Sequence, residues 1–306
     1  IKAYLKQHFD LENQNIARYW EDSEACYVYA RHKENLNCYF YVVFLKTNYY
    51  SQKKSKRPLY EKYLSRFKYL AVCEGDDYWT HKNKLQRQID FLENHQESSA
   101  TCHNVKHFDV ARQCYKGETG QLPSDGWLET KEIVNRGGGY IGTCSIVYRG
   151  ELLEKFPRQI IMYDYCLQMF LATEGKVYYF AEPMAVYRTD NPDSWCGKDR
   201  GNKEMSRLIE QAKPFVDMFM FLANQKPDQR TLFLERMALR LNSYVMHHWK
   251  DEELKQFKEA FKEELSTYNL ISKIGWYLSR RPIRGLTGLY YGQRKYRSRF
   301  IFYQNE

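Results

Sequence analysis

The stretch that most restricts how this chain can fold is Tyr69-Leu-Ala-Val-Cys-Glu-Gly-Asp-Asp-Tyr-Trp79. A short apolar run, Tyr69 to Cys73, stops at Glu74-Gly75-Asp76-Asp77. An unbroken apolar run of this length, closed by a turn signal, reads as a buried strand. Thr80 stands where a helix cap is expected. Leu85, Ile89 and Leu92 then recur at helical spacing, with Phe91 beside them and Lys84, Arg87 and Glu93 between. The order is strand, acidic loop, amphipathic helix, and open α/β sheets gather ligands at the carboxyl ends of their strands. Three carboxylates within four residues repel one another unless a cation lies among them. Hard divalent ions such as Mg²⁺ and Mn²⁺ prefer such oxygen ligands. A solvated acidic turn is the plain alternative.

With Lys84-Leu-Gln-Arg-Gln-Ile-Asp-Phe-Leu-Glu93, this segment resembles the metal-binding segment of family 2 glycosyltransferases with the GT-A fold. The bacterial branch that builds surface polysaccharides is the most similar. Further matches follow in order. Tyr140-Ile-Gly-Thr-Cys-Ser-Ile-Val-Tyr-Arg149 resembles the strand lining the sugar and acceptor pocket. Tyr163-Asp-Tyr-Cys-Leu-Gln168 resembles the segment bearing the catalytic base. Gly175 to Phe180, Met184 to Arg188 and Ser194-Trp195 resemble the closing strands and the loop after them. The resemblance spans roughly residues 65 to 196.

That resemblance implies an α/β, Rossmann-like fold with a mostly parallel central sheet flanked by helices. It implies an enzyme of the hexosyltransferase type. Asp77 and Asp76 would hold Mn²⁺ or Mg²⁺, with Glu74, Asp76 and Arg188 at the nucleotide-diphospho-sugar donor. Asp164 would be the base that takes the acceptor proton. Thr143, Ser145, Trp79 and Trp195 would line the acceptor or sugar pocket. A single displacement of this kind inverts the anomeric centre. Two departures stand out. Where many relatives carry a histidine two residues after the Tyr-Arg pair, this chain has Asp190, expected as a third metal ligand of different charge and reach. The opening strand is also missing, and Ile1-Lys-Ala-Tyr-Leu-Lys6 reads like a first helix already under way.

Residues 11–65 show neither a second strand nor its acidic turn. They are tyrosine-rich and, with the rest of the first 67 residues, lack glycine. Tight strand–helix turns usually need glycine. Residues 1–65 are therefore expected to be a divergent or incomplete part of the nucleotide-sugar-binding half, strongly diverged or translated out of frame. Residues 66–198 form the expected catalytic core, alternating strands and helices. Apolar stripes at Met205, Leu208 and Ile209, at Leu234, Ala238, Leu241 and Val245, and at Leu254, Phe257, Phe261 and Leu265 predict a helical appendage over residues 199–268.

Residues 269–306 are a basic aromatic tail. From Ile271 onward eight lysines and arginines stand against Glu306 alone. Such a tail meets an anionic surface, packs on the protein, or binds nucleic acid, the last being the least expected. With a glycan or lipid-linked acceptor, peripheral contact with the inner face of the cytoplasmic membrane follows. The 27 tyrosines suit a carbohydrate-handling protein, and equally reflect AT-rich coding. Eight scattered cysteines without a C-x-x-C pair, and no legible leader, favour the cytoplasm. No run is apolar and long enough to cross a bilayer. His103 and His107 lack a second pair at zinc spacing. Two rivals remain: an inactive glycosyltransferase-like fragment or binding subunit, and a nucleic-acid-binding protein using the tail.

Overall fold

The computed structural model describes residues 2–12, 17–49, 52, 54–190, 204–245, 251–269 and 273. The chain divides into two compact units, Ile1–Arg66 and Phe67–Glu306.

In the first unit, helix α1 (Lys2–His8) precedes three strands, β1 (Arg18–Glu21), β2 (Ala25–Arg31) and β3 (Tyr39–Leu45), and α2 (Arg57–Leu64) follows. The strands form an antiparallel sheet in the order β1-β2-β3. Alternate residues of β3, Phe40, Val42 and Phe44, pack with Ala30 against Leu5 and Phe9. The residues between them carry the aromatic face, where Trp20 stacks on Tyr27 at 5.1 Å and Tyr29 on Tyr39 at 5.5 Å. Such cross-strand aromatic pairs set the register. Side chains replace glycine at the turns. Asp22 Oδ1 accepts from the Glu24 and Ala25 N–H groups, both at 2.8 Å, and His32 Nδ1 accepts from Glu34 and Asn35. This differs from the strand–helix–strand order that a nucleotide-binding half requires. The connections between these strands are too short for the crossover that parallel pairing needs.

The second unit is α/β with a mixed seven-stranded sheet. Its strands are β4 (Tyr69–Ala71), β5 (Tyr78–Trp79), β6 (Ser98–Asp109), β7 (Cys114–Glu118), β8 (Gly126–Leu128), β9 (Val147–Arg149) and β10 (Lys176–Thr189). The order is β4-β9-β6-β10-β5, with β7 on β6 and β8 on β10. The expectation of a mostly parallel sheet is corrected here. Of the described pairings only β6 with β10 is parallel, because the reversed β9 separates β4 from β6. Yet β4, β6 and β10 run the same way, so their carboxyl ends share one edge.

Helices α3 (Lys84–Asn94), α4 (Thr130–Arg136), α5 (Leu152–Lys155) and α6 (Asp164–Glu174) lie among these strands. Most of α6 is buried, as a helix between the sheet and another helical layer must be. Thr80 does not cap α3. Its N–H pairs with the Met184 carbonyl, and Asn83 takes the cap position. The appendage consists of α7 (Met205–Gln225), α8 (Arg230–Val245), α9 (Asp251–Ala260) and α10 (Lys262–Ser266). Helix α7 runs through Pro214, whose carbonyl accepts from the Cys166 thiol of α6. Met218, Phe219, Leu222, Phe233, Met237 and Leu241 are fully buried. No described helix is long and apolar enough to cross a membrane.

Candidate functional site

The shared carboxyl edge of β4, β6 and β10 gathers the acidic loop, the turn before β9 and the end of β10. Within the loop the Asp77 N–H donates to the Glu74 carbonyl at 3.1 Å, closing a tight turn. Asp77 is buried, 8% exposed. The Arg188 backbone N–H donates to its Oδ1 at 2.9 Å, and Arg188 Nε donates to the Asp76 carbonyl. β10 thus clamps the loop at two points. Asp77 Oδ2 is buried without a hydrogen-bond partner. An orphaned carboxylate oxygen at a sheet edge carries a desolvation cost of about 1–3 kcal/mol or more.

The electrostatics follow from crowding. Burial raises the pKa of Asp77, and hydrogen bonds from the Arg188 N–H and the Cys144 thiol offset this only in part. Glu74 is pushed up to about 7, by loss of water around its carboxyl and then by the charges of Asp77, Asp164 and Asp76, against a stabilising hydrogen bond to Thr143. Asp164, 90 residues from Glu74 in sequence, therefore belongs to the same electrostatic group. The thiol of Cys144 beside Asp77 is held protonated by burial and by that carboxylate.

Asp164 is the first residue of α6, after the extended Tyr163. Its Oδ1 accepts from the Tyr165 N–H at 2.6 Å. Gly138 makes room for it. A Cβ on Gly138 would stand 3.2 Å and 3.3 Å from the two Asp164 oxygens, and Gly137 has φ +80°. Buried Gln168 fixes this loop by donating to the Gly138 and Ile141 carbonyls at 3.0 and 2.9 Å.

The stretch predicted as a pocket-lining strand begins instead as a 3₁₀ turn, Thr143–Ser145, and becomes strand only at Val147. Thr143 reaches Glu74. Ser145 is fully buried and its hydroxyl donates to the Gly142 carbonyl at 2.6 Å, so it closes the turn. Trp79 holds the same turn, its indole N–H donating to the Cys144 carbonyl at 2.9 Å.

Beneath this turn lies a polar knot around Lys84, which in the sequence stands only as one of the charged residues between the apolar positions of α3. Lys84 is 1% exposed. Its ammonium donates to Gln88 Oε1 at 2.8 Å and lies 4.4 Å over the Trp79 ring. Burial drives its pKa down to about 8. Gln88 in turn donates to the Ser145 carbonyl and Thr101 Oγ1 at 2.9 and 3.1 Å. One period-3.6 signal foreshadowed it, since Lys84, Gln88 and Leu92 share a face.

Asp190 stands apart from the acidic loop's network. It follows the end of β10 with φ +54° and pairs with Lys116, which also holds the buried Asp109 at 2.8 Å. Lys116 keeps the carboxyls of both aspartates below their usual range. Among the described residues no three ligating side chains converge as a ready-made metal cage. Trp195 and most of the basic tail lie outside the described residues. His103 is buried with Nδ1 against the Asn104 carbonyl, and His107 pairs with Thr119. Burial depresses His103 to about 3, so it is a neutral core histidine.

No protein-family model matches the chain. It is similar to uncharacterized proteins of Mycobacterium bovis (strain ATCC BAA-935 / AF2122/97) and of Mycobacterium tuberculosis (strains CDC 1551 / Oshkosh and ATCC 25618 / H37Rv). Each is 25% identical over 262 residues, covering 74% of this chain and 72% of the relative.

Proposed function

We propose that the second unit is a metal-dependent glycosyltransferase of GT-A type, moving a sugar from a nucleotide-diphospho-sugar to an acceptor hydroxyl. The observation that carries this reading is the buried Asp77 carboxylate, one oxygen of which lacks a hydrogen-bond partner, next to Glu74, which feels the charges of Asp77, Asp164 and Asp76. Packed carboxylates destabilise a protein unless a cation or a bound proton relieves them. The donor set fits a hard cation. Asp77 Oδ2 and the Asp76 carboxylate would hold Mn²⁺ or Mg²⁺, the remaining positions falling to water and phosphate oxygens, as is usual for Mg²⁺. Bound there, the ion would neutralise charge growing on the departing diphosphate.

The chain's own residues supply the rest. Arg188, anchored through Nε, offers its terminal nitrogens to phosphate. Asp164 accepts the proton of the attacking hydroxyl, and Gly138 leaves that carboxylate accessible. Attack on the anomeric carbon from the face opposite the diphosphate inverts its configuration. Trp79 and Thr143 shape the wall of the sugar pocket.

Calorimetry separates this reading from a non-catalytic binding subunit. Saturable, Mn²⁺-dependent binding of a nucleoside diphosphate, lost in Asp77→Ala, is the expected result. Binding that ignores both the metal and the variant would remove the enzyme reading.

A further inference from the structure

The appendage brings arginines to the same edge. Arg236 and Arg240 lie one helical turn apart on α8, and so on one face. An Arg236 terminal nitrogen is 3.7 Å from where a Gly137 Cβ would stand, and the adjacent Gly138 faces the Asp164 carboxylate. Arg236 also hydrogen-bonds Tyr165, the residue after Asp164. Arg240 is held 4.6 Å over the Phe215 ring and 5.4 Å from Tyr244. Phe215 itself stacks on Tyr163 at 5.6 Å, the residue before Asp164. Arg136, at the end of α4, lies 5.0 Å over Tyr140 and pairs loosely with Glu132 at 3.7 Å.

Neither Arg236 nor Arg240 forms an ion pair among the described residues, and Nε of all three arginines is buried without a partner. Aromatic rings hold Arg136 and Arg240, and the Tyr165 hydroxyl holds Arg236. Among the described residues the three guanidinium groups form one ion pair, that of Arg136 with Glu132. Uncompensated, preorganised guanidinium groups are the usual recognition chemistry for phosphoryl oxygens, and the surplus of charge suits a dianion better than a carboxylate.

We propose that Arg236 and Arg240, with Arg136, form a binding subsite for a phosphoryl group carried by the acceptor, beside Asp164. This rests on the glycosyltransferase reading for the word acceptor, while the anion site itself stands on the arginines. The appendage would then select acceptors rather than merely cover the core. The phosphoryl group belongs to a soluble phosphate ester or to a lipid headgroup, and the test distinguishes them.

Methyl phosphate is titrated into the full chain without metal or nucleotide, followed by ³¹P line broadening. Saturable binding is expected, weakened about tenfold or more in Arg236→Gln/Arg240→Gln, since each lost charge-assisted bond counts at that scale. Asp77→Ala should bind methyl phosphate as the parent chain does, which keeps this test separate from the metal and donor site. Thermal melts check folding. If the double variant does not fold, Arg236→Lys retains the charge, loses the planar fork and should weaken binding several-fold. Absence of saturable binding in the parent chain, or equal affinity in the folded variants, overturns the proposal. Cosedimentation with phosphatidylglycerol vesicles but not phosphatidylcholine vesicles, lost in the double variant, assigns the group to a lipid. Methyl phosphate binding without cosedimentation assigns it to a soluble ester.

Discussion

Two acidic groups sit at one edge of the same sheet, and they are built on opposite principles. Asp109 and Asp190 share Lys116, and both carboxyls are held below their usual range. Glu74 and Asp77 are crowded and raised, Asp77 buried and Glu74 at the surface. The first group is complete in itself. Among the described residues the second group forms no ion pair, and under the metal-site proposal an external cation would supply that compensation.

Removing charge should therefore act oppositely in the two places. Asp77→Asn should eliminate metal-dependent binding and transfer while raising the melting temperature of the metal-free protein by about 2–4 °C, as relief of roughly 1 kcal/mol would. A lower melting temperature together with retained metal binding would erase the contrast. Asp164→Asn should cut turnover by about 10²–10⁴-fold with donor affinity intact, the range for loss of a general base. Steady-state kinetics beside donor calorimetry reads this, and a loss confined to donor binding would move Asp164 out of the base role.

The pH response sharpens the comparison further. The raised Glu74 binds its proton more tightly in the folded chain than in the unfolded one. Stability of the metal-free protein should then fall as pH rises from about 4.5 to about 7. The lowered Asp109 and Asp190 act the other way, adding stability that is lost as pH falls through their folded pKa values. Melting curves in Glu74→Gln, compared with the parent chain, isolate the first effect as a flattened slope across that window. Cation affinity should rise over the same window, because the competing proton leaves. The smallest effect is expected at Asp190→Asn. Cation affinity should stay within about twofold, and stability should change by about 0–1 kcal/mol, the usual worth of a partly exposed pair. A large loss of cation affinity there would restore Asp190 as a ligand.

Legibility in the sequence tracked local periodicity. The spacing of Leu85, Ile89 and Leu92 found helix α3 but not its buried face, which is Lys84, Gln88 and Leu92 with Leu85 exposed. The run from Tyr69 to Cys73 is strand only to Ala71, with Leu70 alone buried. The stripe at Leu254 to Leu265 matched helix, although the structure divides it between α9 and α10 around Phe261. What periodicity could not reveal depended on distant partners. Two-residue β5 exists only because β10 pairs with it. The fate of Lys84 depends on Trp79 and Gln88 beneath a turn 60 residues away. In the first unit the sequence shows no second strand over residues 11–65, yet the runs at Cys26 and Cys38 form β2 and β3. The absence of glycine hid their turns, where Asp22 and His32 take its place. Among the site residues, the acidic loop announced itself by composition. The arginines of α8 did not, since a helical appendage with polar residues between apolar ones looks like any solvated helix.

The parallel ladder of β6 with β10 has a kinetic corollary. The Ser98 hydroxyl bonds the Lys176 carbonyl across 78 residues of chain, so a long loop must close before the ladder gains anything. The backbone N–H that steadies Asp77 lies beyond that closure, on the far end of β10. During refolding, helical signal should return ahead of protection at the Arg188 amide, and the cation-competent arrangement should be among the last features to mature.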